Sequence, residues 1–270
     1  MRIETLTRYP VKSMLGEPVD DAVLGPTGLE LDRGWALQDL ETGVVCTAKH
    51  PRLWRRLLQY RAHASSPQGQ VVVSSPDGSE RAVDDPALAD ELSDDLGRRV
   101  RLSSHRDAGS EVERPDPEEV LDQGVEAELA APRLEIAQGT PGDTFVDYAP
   151  VHLITTATLD HLGVEGARYR PNLIVESSGA PFAENDWVGR ELHIGSGDQV
   201  VVLRGILPTP RCSVPTLEHG PLPRAPQAVR PLMTQNRVDV PGFGVLPCAG
   251  VYAEVVRGGT IRRGDPITLI

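Results

Sequence analysis

The chain has 270 residues, a formal net charge of −12, and 39% hydrophobic and 24% charged residues, close to globular averages, so it can bury a core. Its 26 glycines and 24 prolines exclude a helical bundle and point to strands, its acidic balance argues against general nucleic-acid binding, and no apolar run approaches the ~18 residues of a membrane helix. The cysteines Cys46, Cys212 and Cys248 are too few and too far apart for a disulfide framework or a CxxC metal cluster, and the opening residues lack the apolar stretch of a signal peptide. A soluble cytoplasmic protein is expected.

In chain order, Ile3 to Tyr9 reads as a strand, and Pro10 ends it in a turn at Val11-Lys12-Ser13 whose free N–H groups suit an anion. Lys12 is either part of such a site or a solvent-exposed turn lysine. It gains interest because Lys12 and Lys49 are the two lysines among 27 basic residues. Gly28 to Leu40 reads as a second strand, turning through Glu41-Thr42-Gly43 into Val44 to Thr47. Shorter strands follow at Leu57 to Ala62, Val71 to Ser74 and Arg81 to Val83. Asp85, Pro86 and Gly97 bracket a helix that places Leu88, Leu92 and Leu96 on one face. This half reads as a small β-barrel or sandwich, residues 1–105.

Between Asp107 and Glu128 stand nine carboxylates and one arginine, with Pro115 and Pro117 and few large apolar residues. Such a stretch reads as a solvated acidic linker, residues 106–134, with one helical turn at Glu118 to Leu121. A docking patch for a basic redox partner is the alternative. Beyond it, residues 135–270 carry strands at Val151 to Ile154, Leu173 to Glu176, Glu191 to Ile194, Val200 to Leu207, Gly250 to Val256 and Pro266 to Ile270. Thr155 or Thr156 caps a short helix through Leu162, with or without an anion at its start, and Ala228 to Asn236 reads as another helix.

No HExxH, G-x-S-x-G, Walker or G-x-G-x-x-G pattern occurs, and the seven histidines are scattered, which reads as structural or surface use. Cys46 and Cys248 fit packing roles in strands. Cys212 follows Pro208-Thr209-Pro210-Arg211, where two prolines are expected to end pairing and leave it in an ordered loop. Arg211, if its head points inward, would favour the thiolate. The residues alone leave open whether Cys212 is reactive or inert.

Six segments in register carry a resemblance: Tyr9-Pro10-Val11-Lys12-Ser13, Leu31-Asp32-Arg33-Gly34-Trp35, Thr47-Ala48-Lys49-His50-Pro51-Arg52-Leu53, Arg168-Tyr169-Arg170-Pro171-Asn172, Pro210-Arg211-Cys212 and Gly264-Asp265-Pro266. In order and spacing the chain resembles the MOSC family over nearly its whole length. The resemblance implies a mainly β fold with a few short helices, an N-terminal β-barrel domain followed by a MOSC-type β-barrel domain. It further implies a molybdenum–molybdopterin cofactor between the halves, with Cys212 as metal ligand and catalytic residue. Lys12, Ser13, Arg33, Thr155, Thr156, Arg170 and Asn172 match positions that grip the cofactor, and Arg211 and Thr216 flank the ligand. Pro171 is expected to hold Arg170 extended.

The activity implied is two-electron reduction of small N-hydroxylated compounds, amidoximes or hydroxylamines, as in amidoxime-reducing members and their bacterial relatives. The chain stops at Leu269-Ile270, so a separate ferredoxin, flavodoxin or NAD(P)H-reductase is the expected electron donor, with no nucleic-acid or membrane partner. Two other classes stay open: a sulfur carrier with a persulfide on Cys212, and a non-catalytic cofactor-binding module. The family's association with pyridoxal phosphate finds weak support, because Schiff-base chemistry would fall to Lys12 alone. Lys49 and His50 stand where relatives often show arginine and glutamine, and Pro215 replaces a hydroxyl residue.

Overall fold

A computed structural model describes residues 1–66 and 69–270. The strand Arg2–Arg8 forms where expected, but it pairs antiparallel with Leu173–Glu176 in the second half, Ile3 opposite Val175 and Leu6 opposite Leu173. It thereby joins a nine-stranded sheet in the order Ile267–Leu269, Glu191–Ile194, Val201–Pro210, Gly244–Arg257, Val151–Thr155, Leu173–Glu176, Arg2–Arg8 and Glu17–Pro18, with Arg237–Val240 paired to Gly244–Arg257. Among the described residues, four smaller sheets make up the rest. The fold is mainly β with short helices, yet among the described residues no sheet closes into the barrel expected of each half. The first strand is one reason: Ile3 and Leu6 are buried in the core that Leu153, Leu203 and Val251 form, so the N-terminal half does not keep that strand for a circuit of its own.

A second core belongs to the N-terminal half, around Val11, Met14, Trp54, Leu57, Val73 and Leu92. The turn at Tyr9–Ser13 therefore leaves one core and enters the other. The expected helix spans Pro86–Leu96, with the Asp85 side chain accepting from the Ala87 N–H and Gly97 closing it at φ 66°. The strand expected over Gly28 to Leu40 is broken into Gly28–Leu29 and Ala36–Asp39, because Leu31 and Arg33 adopt left-handed conformations, φ 64° and 48°. Leu57 and Leu58 lie in the 3₁₀ turn Arg55–Gln59, and the strand begins later, at Arg61–Ala64.

Other departures have local causes. Pairing continues through both prolines of Val201–Pro210, with Pro208 opposite Val251 and Pro210 opposite Cys248. Glu191–Ile194 flanks this strand as far as Arg204, so the proline nitrogens lie beyond its pairing range and interrupt no bond to it. The helix over Ala228 to Asn236 shrinks to Leu232–Gln235 after a 3₁₀ turn at Pro226–Ala228, Pro231 standing between them. The acidic stretch is ordered: Glu111–Glu113 pairs with Arg133–Glu135, a helix runs Pro117–Gln123, and Val112, Pro115, Pro117 and Val120 are buried. Charge counting had hidden these few apolar anchors. Among the described residues no helix is long and apolar enough to cross a membrane.

Candidate anion-binding cleft

A cleft enclosing about 690 Å³, open solvent at its mouth included, lies at the seam between the two cores. It is lined by six cationic side chains, Lys12, Lys49, Arg33, Arg168, Arg170 and Arg211, by the single carboxylate Asp147, and by Cys212. Lys12 is no surface lysine. It is 4% exposed, and its ammonium donates to the Phe145 carbonyl at 2.8 Å and to Asp147 Oδ1 at 2.6 Å. Lys49 Nζ stands 3.0 Å from the same oxygen. Burial pushes Lys12 down to about 8, Asp147 pulling upward and Lys49 adding to the depression. Burial alone would raise the Asp147 carboxyl, but the two ammonium groups outweigh it and hold it well below the usual range.

Arg33 and Arg170 reach across the seam. The Arg33 Nη2 donates to the Arg170 carbonyl at 3.0 Å, and the Arg170 Nη1 to the Met14 carbonyl at 2.6 Å. Arg170 is not extended before Pro171: it ends the 3₁₀ turn Gly166–Tyr169 in a left-handed conformation, φ 55°. Burial, then the neighbouring Arg33 charge, lowers it to about 10. Asn172 is 2% exposed, its Oδ1 accepting from the His152 N–H at 3.1 Å. Ser13 Oγ accepts from the Ala48 N–H at 3.1 Å, tying the Lys12 turn to the Lys49 segment.

Arg211 turns inward, but toward main-chain carbonyls. Nε donates to Ala249 O at 2.8 Å and Nη1 to Tyr169 O at 3.3 Å, while Nη2 meets Ala249 O and the His152 Nε2, the latter at 2.5 Å. Burial and then the Arg211 charge push His152 well below its ordinary range, so the neutral ring accepts from the guanidinium. Gly250 makes the meeting feasible. Its φ is +83°, and a Cβ there would stand 2.6 Å from His152 Nε2 and 2.5 Å from Leu153 O. Cys212 is a free, partly exposed thiol packed against Ala48, Leu58, Val214 and Leu217. Cys46 and Cys248 are fully buried, and burial pushes Cys248 up to about 12.

Seven of the residues singled out in the sequence thus converge: Lys12, Ser13, Arg33, Arg170, Asn172, Arg211 and Cys212. Thr155, Thr156 and Thr216 do not line the cleft. Thr155 Oγ1 accepts from the Thr158 N–H at 3.1 Å and donates to the buried Glu184 Oε2 at 3.0 Å, so the acceptor at this helix start is the chain's own Glu184 carboxyl. Thr156 Oγ1 donates to Ser177 O, and Thr216 Oγ1 to Ser213 O at 2.7 Å. Sequence reasoning missed His152, Asp147 and Tyr252 as lining residues. For Lys49 a signal existed: both lysines of the chain meet at one carboxylate oxygen.

The donor set fits an anionic ligand that carries soft sulfur chemistry beside it. The partly buried Arg170 and the buried Arg211 have no carboxylate partner within salt-bridge distance among the described residues, and positive charge withdrawn from water calls for a counter-charge. Beside the Cys212 thiol, the buried Ser213 Oγ has no hydrogen-bond partner. Among the described residues no group of three metal-ligating side chains gathers, so a metal here would rely on ligands brought with it.

Comparison with known proteins agrees over the chain's length. Residues 1–113 match the MOSC N-terminal beta barrel domain and residues 143–268 the MOSC domain. The chain is similar to mitochondrial amidoxime reducing component 2 of Homo sapiens, 26% identical over 280 residues, which span 96% of this chain and 80% of that one. Mitochondrial amidoxime-reducing component 1 of Homo sapiens is 24% identical over 297 residues, 97% of this chain and 81% of that one. Among solved structures, the YuaD protein from Bacillus subtilis aligns over 99% of this chain and 94% of that one at 11% identity and a TM-score of 0.44, too low to carry an argument.

Proposed function

Because the chain belongs to the MOSC family across both halves, we propose that the cleft holds a molybdopterin cofactor and that the protein reduces small N-hydroxylated compounds, amidoximes or hydroxylamines, in the cytoplasm. The observation that supports this most is the placing of one accessible thiol, Cys212, in a cleft where cations from both halves converge. When bound, the cofactor would supply the two-electron chemistry. The chain's own groups would do the rest. Cys212 Sγ would offer the soft ligand. Arg33, Arg170 and Lys12 would take the phosphate by charge-assisted hydrogen bonds, and the Ser13 turn would carry that contact to the Lys49 segment. His152 would keep Arg211 turned toward Ala249 and Tyr169, which fixes the backbone that presents Cys212.

Overall, an amidoxime would lose its oxygen as water at the cost of two electrons and two protons, with the electrons drawn from a separate carrier such as a ferredoxin, flavodoxin or NAD(P)H-dependent reductase. The test is expression in a cofactor-competent host, followed by molybdenum and pterin analysis and assay of benzamidoxime reduction with a chemical reductant. Wild type is expected to hold both metal and pterin. Cys212→Ala is expected to fold and to keep pterin while turnover falls by about a hundredfold or more, a loss of roughly 3 kcal/mol or more. Wild type purified from that host without pterin sinks the proposal.

A further inference from the structure

The Arg33 and Arg170 guanidinium carbons both lie 4.5 Å from the centre of the Tyr9 ring, although one arginine comes from each half of the chain. The two cations repel, the Arg33 charge adding to the burial that depresses Arg170. Both arginines also sit in left-handed backbone conformations, φ 48° and 55°, which only a well-determined surrounding sustains. Something must hold the pair. The Arg33 N–H donates to Tyr9 O at 2.7 Å, the Tyr9 N–H donates to Asp32 Oδ1 at 2.8 Å, and Asp32 Oδ2 accepts from the Arg33 guanidinium at 2.6 Å. Tyr9 itself is 4% exposed, and Gly16 leaves the space its ring needs, since a Cβ there would stand 2.6 Å from the ring.

We propose that Tyr9 is a positioning residue whose aromatic ring holds both the Arg33 and the Arg170 guanidinium in the anion-receiving lining of the cleft. The ring's π electrons attract each cation and so offset part of their repulsion, which orders the pair before any anion arrives, and ordering done in advance is affinity gained. This rests on the reading of the cleft as an anion site but not on any redox chemistry.

The test uses the cofactor-free full chain and inorganic phosphate, with affinity measured by calorimetry at fixed pH and salt. Wild type is compared with Tyr9→Phe and with chains carrying mono- and trifluorinated phenylalanine at position 9, which keep the ring's shape while draining its negative face. Tyr9→Phe is expected to bind within about twofold of wild type, and affinity to fall stepwise with fluorination, by about three- to tenfold at the trifluorinated ring. A flat series overturns the proposal while leaving the anion cleft intact, and so does a Tyr9→Phe chain as weak as the trifluorinated one, because the hydroxyl would then be the group that matters. Wild-type protein with no affinity for phosphate overturns the anion cleft and this proposal with it.

Discussion

Lys12 shows how one side chain can couple the cleft to pH. Its ammonium is buried and stands near a second lysine, so it loses its proton near pH 8, well before a free lysine does. In the cofactor-free chain an anion binds the charged form more tightly, so affinity is highest below pH 8 and falls as pH rises through about 8. Sulfate does not titrate in this range, which makes it the suitable probe. Between pH 7 and pH 9 its affinity is expected to fall by roughly tenfold, the scale of one charge-assisted contact. Lys12→Met is expected to bind weakly and to flatten that dependence. A wild-type profile flat from pH 7 to 9 would show that Lys12 does not meet the anion. Arg170, lowered only to about 10, stays charged through most of the window.

At the scale of elements, the acidic stretch finds much of its counter-charge inside the chain. Glu118 pairs with Arg237, Glu126 with Arg55, Glu128 with Arg52 and Glu113 with Arg133, which weakens the idea of a free patch awaiting a basic partner. The segment from Arg114 to Pro132 is pinched at its base by the Glu111–Glu113 and Arg133–Glu135 ladder, and its Val125 packs against the cluster of Ala48 and Leu58 from the first half with Val214 and Leu217 from the second. Exposed pairs of this kind contribute about 0.2–1 kcal/mol each and are screened at a Debye length of about 3 Å in 1 M salt. Amide hydrogen exchange over residues 117–128 is therefore expected to quicken by roughly three- to tenfold between 0.05 and 1 M NaCl. Exchange in the central strand Val151–Thr155 should not change. Arg55→Ala is expected to give part of the same quickening at low salt. Exchange in this segment that ignores both salt and Arg55 would assign its hold to Pro115, Pro117 and Val120 alone.

Across the whole molecule, the chain ends interlace the halves. Arg2–Arg8 pairs with Leu173–Glu176, and Gly259–Arg262 near the C-terminus pairs with Asp21–Gly25 near the start. Lys12, Arg33 and Arg170 add hydrogen bonds across the seam. Neither half can lose its structure without stripping strands from the other, so unfolding is expected to be one cooperative transition. Trp54 reports from the N-terminal core and Trp187 from the large one. Urea titrations of single-tryptophan variants, followed by fluorescence and by circular dichroism, should give one common midpoint. Separate midpoints for Trp54 and Trp187 would mean that the halves unfold independently.

Local chemistry made much of this legible in the sequence. Asp85, Pro86 and Gly97 act within a few residues of themselves, so the helix they bracket could be read directly, as could a threonine cap at Thr155 or Thr156 and the presence of the first strand. The six motifs carried the family and seven cleft residues because each is a short run whose spacing survives in one dimension. What tertiary structure alone decided is where those runs meet. Thr155 lost its place in the site to the chain's own Glu184, which arrives from 29 positions away. His152 and Asp147 gained theirs because sheet pairing and the seam bring Arg211 and Lys12 against them. The open sheets follow from the same cause: strand pairing and charge pairing are settled by distance in space, and sequence separation carries no record of it.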